Sequence, residues 1–272
     1  LWDNGLKFGQ VDDISRLLED IAFRRGIGDQ LAEGSKRLSD KYGGKDFAIQ
    51  SKGMELSAYE PRRAVGQGLG YAVSNRGGCH LNGGYLVVLE GLGLNIDSQT
   101  PKAKAQLCMF MQDFMESISL CGHCLFTSYA VFPGFLISKP NSPISRFVNF
   151  IIPHCGWAVG MLDRFPAMAC MNMPLIPYTY ELKYAVGMKM NIGKFLRIGE
   201  RSYNVERAVN ARFGVSADSD KLPKRLTDVL QDPKDPSSRV PLERMKRIYY
   251  NTRGWGTDGL PGRGKLRRLK IV

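Results

Sequence analysis

Three groups of residues have the types and spacing to do chemistry. The first is Cys121-Gly122-His123-Cys124, a C-x-x-C. Thiolates so spaced serve disulfide exchange, zinc binding or iron–sulfur ligation. A thioredoxin-like pair expects a βαβ context, which the surrounding pattern lacks. A zinc site needs two further ligands; Cys79 and His80 are the available pair, at a spacing that matches no standard module. On spacing alone, two buried structural thiols are the simplest account. The second group is Arg76-Gly77-Gly78-Cys79-His80, which holds one of three histidines. An imidazole suits proton transfer near neutral pH, although hydrogen bonding within a loop is its commoner role. The third is Glu55, Tyr59, Glu60 and Arg62, where a salt-bridge network fits as well as catalysis. His123 and His154 have no evident partner in the sequence.

The elements that must position these groups read as mainly helical. Asp12 or Asp13 can cap a helix with Ile14, Leu17, Leu18 and Ile21 on one face, closed by Gly26. A second helix places Leu31, Leu38 and Tyr42 inward and ends at Gly43-Gly44, which predicts a helical hairpin on a core. Residues 53–101 are glycine-rich with little helical periodicity, as in backbone wrapped around a site or in tight interhelical loops. The clearest helix runs from Lys102 to Ser117. Its stripe of Ala103, Leu107, Phe110, Met111, Phe114 and Ile118 reads as core. It delivers the chain into the C-x-x-C. A further helix is expected around Phe195 to Arg212, then polar loops at Asp218–Pro223 and Asp232–Ser238. A last helix is opened by Pro241, with Leu242, Met245, Ile248 and Tyr249 inward.

Composition narrows the classes. The chain has 272 residues, 43% hydrophobic and 24% charged, enough for one large domain or two smaller ones. No stretch is apolar enough to cross a bilayer. Phe147 to Ile176 is interrupted by His154, Asp163, Arg164 and three prolines and is expected to be buried core. The six cysteines, Cys155 and Cys170 among them, form no disulfide framework, and with no signal-peptide pattern a reducing, cytoplasmic setting is expected. The start at Leu1 suggests a processed, truncated or partial chain. The net charge of +12 is concentrated near the end, in Arg244, Lys246, Arg247, Arg253, Arg263, Lys265, Arg267, Arg268 and Lys270. Such a tail complements an acidic partner. Nucleic acid is disfavoured, because no RNA-binding motif or recognition helix accompanies the charge.

A long co-linear set of segments resembles the aldehyde:ferredoxin oxidoreductase family. It begins with Arg25-Gly26-Ile27-Gly28-Asp29 and Leu31-Ala32-Glu33-Gly34. Lys52-Gly53-Met54-Glu55 and Tyr59-Glu60-Pro61-Arg62 follow, with Glu60 where the family usually has Asp. Next come Gly68-Leu69-Gly70-Tyr71-Ala72 and Asn75-Arg76-Gly77-Gly78-Cys79-His80-Leu81. The C-terminal part adds Gly199-Glu200-Arg201, Asn204, Arg207, Asn210, Arg212, Leu222-Pro223-Lys224-Arg225, Tyr249-Tyr250, Arg253-Gly254-Trp255 and Asp258-Gly259.

The resemblance implies the family's C-terminal helical domains without its N-terminal β-rich pterin domain. Residues 1–130 would form a helical domain carrying the cofactor-facing loops, and residues 131–272 a C-terminal helical domain. In the family, a tungsten-bis-pterin lies beside a 4Fe-4S cluster; molybdenum in place of tungsten and a magnesium ion bridging the pterin phosphates enter the same expectation. Three cluster cysteines come from an upstream C-x-x-C-x-x-x-C run, and the fourth from a D-x-x-G-L-C segment. That segment matches Ser119-Leu120-Cys121-Gly122-His123-Cys124. Cys124 becomes the expected cluster ligand, with Cys121 as fallback and Ser119, Leu120, Gly122 and His123 facing cofactor. Ser119 stands where the family has a pterin-binding Asp, and a hydroxyl forgoes the charge-assisted bond. His80 falls at the family's histidine near the metal. The implied activity is oxidation of an aldehyde to a carboxylic acid, with electrons passed to ferredoxin or another iron–sulfur carrier. Reduction of an aromatic acyl-CoA, or a cofactor-less scaffold subunit of an electron-transfer complex, are the alternatives. Implied partners are the missing N-terminal domain or chain and further copies or subunits in a homo- or hetero-oligomer.

Overall fold

A computed structural model describes residues 6–7, 9–92, 96–131, 138–139, 141–165 and 177–272. The N-terminal helices are α1 (Val11–Ala22), α2 (Ile27–Leu31) and α3 (Gly34–Tyr42). Gln10, not an aspartate, precedes α1, and Asp12 and Asp13 lie in its first turn, where they complement the helix dipole. Gly28 brings α2 against α1: a Cβ there would lie 2.3 Å from the Asp20 backbone. α1 packs on α2, but the expected second helix is broken between Leu31 and Gly34, and the apolar stripe of α1 is not buried. Leu18 is 60% exposed and Tyr42 48%.

A short antiparallel pair follows, β1 (Gln50–Ser51) and β2 (Met54–Glu55), turned by Lys52 and Gly53, both at positive φ. That geometry suits a two-residue hairpin.

The glycine-rich region then holds an unexpected helix, α4 (Val65–Val73), buried along its whole length. Its glycines hide the pattern. They lower helix propensity, yet here they permit contact. A Cβ on Gly70 would lie 2.3 Å from the Gly83 carbonyl oxygen, and one on Gly68 2.9 Å from Val240. The start of α4 is capped from a distance. Glu90, in a wide helical turn at Val88–Leu92, accepts the Gly66 and Gln67 N–H groups at 2.8 and 3.0 Å. It also pairs with Lys104 Nζ at 2.6 Å, with both side chains fully buried.

Lys104 opens α5 (Lys104–Leu120), the helix around which the molecule is built. Leu107, Met111, Phe114 and Ile118 are core, as their periodicity predicts. So are Gln112 and Asp113 on the other side, because α5 is packed all round. The later helices are α6 (Pro143–Ile151), α7 (Gly156–Arg164), α8 (Pro177–Val186), α9 (Ile192–Arg212), α10 (Lys224–Thr227), α11 (Leu242–Arg253) and α12 (Arg263–Arg268). Helices α4, α7, α9 and α11 all pack on α5. The helix opened by Pro241 is therefore not the last.

The closest crossing in this bundle is at Gly199 of α9. A Cβ there would sit 1.8 Å from the Asp113 carbonyl oxygen, and the Gly199 N–H donates to Ser117 Oγ at 3.0 Å. Gly199→Ala is expected to lower unfolding stability by about 3 kcal/mol, measured by urea denaturation. Gly264→Ala, with nothing within 4 Å of its Cβ, should be neutral or slightly stabilising in the same assay.

Three cation networks tie the C-terminal half to itself and to the earlier elements. Asp220 is fully buried in a stretch read as polar loop. It accepts two bonds from Arg207, at 3.1 and 2.7 Å, one from Tyr250 Oη at 2.6 Å and one from Lys52 at 2.8 Å. Arg253, likewise buried, pairs with Asp113 at 2.9 Å and lies 4.2 Å from the centre of the Tyr203 ring. Glu200 gathers Lys265, Arg268 and Arg197. Arg253, Lys265 and Arg268 of the basic tail are thus paired internally, whereas Arg244, Arg247, Arg263, Arg267 and Lys270 stay exposed.

The Phe147–Ile176 stretch departs most from expectation. Residues 166–176, Cys170 included, lie outside the described residues. In the remainder the apolar side of α6 faces outward: Phe147 is 64% exposed and Phe150 68%, while Ser145 is 1% exposed. No helix among the described residues is long and apolar enough to cross a membrane.

Candidate functional site

His80 is held from three directions. Gly78 presses its loop on the hairpin, where a Cβ would meet the Met54 carbonyl oxygen at 2.6 Å. Gly83 abuts α4, and its carbonyl accepts the buried Cys108 thiol of α5 at 3.5 Å. Burial pushes the Cys108 thiol well above its ordinary range, so it is a packing group.

The half-buried His80 ring has Nδ1 2.7 Å from Ser57 Oγ. Ser57 is fixed in turn, its carbonyl accepting Tyr71 Oη of α4 at 3.2 Å. Among the described residues Nε2 has no hydrogen-bond partner, which leaves it available to move a proton. Tyr59 and Tyr85 flank the ring, with centroids at 5.7 and 5.4 Å. Burial lowers the imidazole pKa from its ordinary value, which favours the neutral base.

The C-x-x-C lies at the end of α5. Gly122, at φ 79°, terminates the helix, with the His123 N–H on the Ile118 carbonyl and the Gly122 N–H on that of Ser119. This is a Schellman turn, and it requires a residue at ease in the left-handed region. The turn exposes Leu120, Gly122 and Cys124 and leaves Ser119 half-buried. The Cys124 carbonyl is tied down by the Thr127 N–H at 2.9 Å and Thr127 Oγ1 at 2.7 Å, while its thiol stays exposed. Cys121 instead packs on the core. Its thiol is raised by burial and then by the Glu181 charge, both of which oppose a thiolate. His123 Nε2 lies 2.7 Å from Glu181 of α8, and its ring packs on Tyr178.

Phe126 joins the two parts. Two residues past Cys124, it meets the Tyr85 ring edge-on with centroids 6.0 Å apart. The structure therefore brings the His80 loop and the cysteine turn to one aromatic cluster. It separates other candidates. Glu60 and Arg62 form a bidentate pair at 2.9 Å, whereas Glu55 accepts the Ser35 N–H at 2.9 Å. Cys79 Sγ accepts the Asn82 N–H at 3.4 Å. No three His, Cys, Asp or Glu side chains among the described residues could jointly hold a metal ion, so the four-ligand zinc arrangement is not assembled. Ser57, Tyr85, Phe126 and Glu181 were missed in the sequence. Only the aromatics in Gly84-Tyr85 and Leu125-Phe126, each near a candidate motif, were signals that could have found any of them.

The mainly helical fold thus brings one histidine loop and one exposed cysteine turn to a common aromatic cluster. The family model for aldehyde ferredoxin oxidoreductase, domains 2 and 3, matches residues 3–271. Tungsten-containing aldehyde ferredoxin oxidoreductases of Thermococcus kodakarensis and Pyrococcus furiosus are each 32% identical over 271 residues, covering 98% of this chain and 38% of theirs. That of Pyrococcus horikoshii is 32% identical over 270 residues. The chain belongs to the aldehyde ferredoxin oxidoreductase family and spans about 38% of the length of the first two relatives.

Proposed function

We propose that this chain is the C-terminal part of a tungsten-pterin, iron–sulfur oxidoreductase that oxidises an aldehyde to a carboxylic acid and passes the electrons to ferredoxin. The observation that carries the reading is the single aromatic cluster shared by His80 and the Cys124 turn, in a chain of this family. The donor set fits one corner of the cofactor site. Cys124 offers one exposed thiol on an anchored turn, suited to be one of four cluster ligands, with the other three from outside these residues. The Ser119 hydroxyl and the Leu120–His123 backbone would meet the pterin.

Water and an aldehyde give a carboxylic acid, two protons and two electrons. When bound, the tungsten centre and the 4Fe-4S cluster would supply the two-electron oxidation and its release in single steps. The chain's own share is different. His80 Nε2 would accept a proton released at the substrate, with Ser57 Oγ holding Nδ1 and hence the ring. Tyr59, Tyr85 and Phe126 would exclude water from one side of that proton. The division into a cofactor-facing segment, 1–130, and a second segment, 131–272, is kept as part of this proposal, with α5 as the core both share.

Iron content and the spectrum of the reduced cluster test the assignment in the complete enzyme. Cys124→Ala is expected to lose cluster iron and Cys121→Ala to keep it. The reverse result would move the ligand to Cys121. Wild-type enzyme free of both metals in its native assembly would favour a scaffold role.

A further inference from the structure

Helix α1 has no part in the site described above, and it buries none of its 12 residues. On a helical wheel Val11, Ile14, Leu17, Leu18, Ile21 and Ala22 share one continuous arc, with every charged residue outside it. An ordinary surface helix turns such an arc inward. Here α2 meets α1 through Gly28 at the Asp20 backbone, outside the arc, while Val11 and Ile14 are 67% and 40% exposed, like Leu18. The neighbouring segment repeats the pattern. A cavity of about 360 Å³ lies against α2, α3 and the turn that follows, walled almost wholly by apolar side chains such as Ile27, Leu31, Leu38 and Phe47. A helix this short is marginal without tertiary packing, so its apolar arc calls for a cover.

The charges around the arc show what kind of cover fits. Arg16 pairs with Asp13, Arg25 with Glu19, and Arg24 with both Asp29 and Glu33. With these charges paired in place, the side offers apolar area and little net field. That suits a permanent interface, not a carrier or an anionic surface drawn in by charge. The family match says which polypeptide is at hand. It covers domains 2 and 3, which leaves a first domain outside it, and the relatives carry more than half of their length beyond the part matched. The match begins at residue 3 and α1 at Val11, so polypeptide leading into the matched part arrives a short stretch of chain ahead of the uncovered arc.

We propose that the polypeptide preceding these residues in the complete enzyme is seated on the apolar arc of α1 and fills the cavity lined by Ile27, Leu31, Leu38 and Phe47. This rests on the reading of the chain as the C-terminal part of a longer enzyme, and adds the surface through which the two parts are joined. α1, α2 and α3 are then interior to the complete protein and closed to an electron carrier.

The test uses the complete enzyme. Leu18→Cys is treated with a maleimide in the native and the urea-unfolded state, and modification of the peptide spanning Val11–Ala22 is read by mass spectrometry. Modification is expected to be at least about a hundredfold slower in the native enzyme. Hydroxyl-radical labelling of the wild type, which needs no variant, should spare Phe47 in the same way. Ile14→Asp with Leu18→Asp should lower the melting temperature by several degrees, as changes in a core do. The proposal is overturned by native modification at the unfolded rate, or by an aspartate variant that melts like wild type. It is also overturned if protection is lost on dilution to single chains, which would assign this side to a second copy. Intact mass separates the two ways of failing. An enzyme with no polypeptide ahead of residue 1 removes the reading on which the proposal rests, whereas fast modification in an enzyme that has it removes the seating alone.

Discussion

His80→Gln is expected to lower kcat/KM by about a hundredfold to ten-thousandfold, the usual range for loss of a positioned general base. Glutamine keeps a polar group near Ser57 Oγ but cannot take up a proton, so metal content should be unchanged while turnover falls. The pH profile gives a sharper signature. His80 works as a base only when neutral, and burial lowers its pKa. Wild-type activity should therefore persist as pH falls through about 6.5, the ordinary imidazole value, and decline only below it. In the glutamine variant that acid limb should vanish. A variant with wild-type kcat/KM would remove the proton-moving role from His80 and leave it a packing group. Steady-state kinetics across pH, on enzyme of verified metal content, decide between the two.

Asp220→Asn should be the most destabilising of the single changes considered. The carboxylate meets Arg207 and Lys52, all three side chains buried, and accepts the Tyr250 hydroxyl. Removing the charge leaves two cations facing a neutral amide in low dielectric, and the cost of breaking a buried pair is about 3–5 kcal/mol. For a chain of this size that corresponds to a drop of roughly 10 °C in melting temperature, read by calorimetry. The effect should reach the site as well. Lys52 forms the hairpin turn against which the His80 loop is pressed, so His80 chemistry should weaken before the protein melts. Asp235→Asn, in the polar loop at 232–238, gives a control with a much smaller shift. A melting temperature within a degree or two of wild type would mean that another group compensates Arg207.

Which parts were legible follows from the range of the forces involved. The α5 stripe was readable because helical periodicity is local, and so were α9 and the Pro241-started α11. Helix α4 was not, because Gly66, Gly68 and Gly70 look like loop residues until their neighbours are known. Each marks a place where another backbone or side chain approaches too closely for a Cβ. Arg253 reads as part of a basic tail and Asp220 as part of a polar loop; their burial depends on partners as distant in the chain as Asp113 and Lys52. The amphipathic pattern of α6 was present in the sequence, but a pattern cannot say which side faces the protein. At the site, motif order located His80 and the cysteine turn, whereas the Ser57 and Phe126 contacts depend on tertiary placement.

The Glu90 node has a consequence for how the site moves. One carboxylate holds the first amides of α4 and the first lysine of α5, so the chain from Gly66 to Glu90 is closed into a ring by ionic and hydrogen bonds. His80 lies within that ring. Its loop cannot open by fraying from one end, as a surface loop does, because releasing either end breaks the same buried node. In hydrogen-exchange terms, the amides around His80 are expected to open with the buried core, although the ring itself reaches the surface. The edge that carries His80 is thus expected to be as rigid as the core.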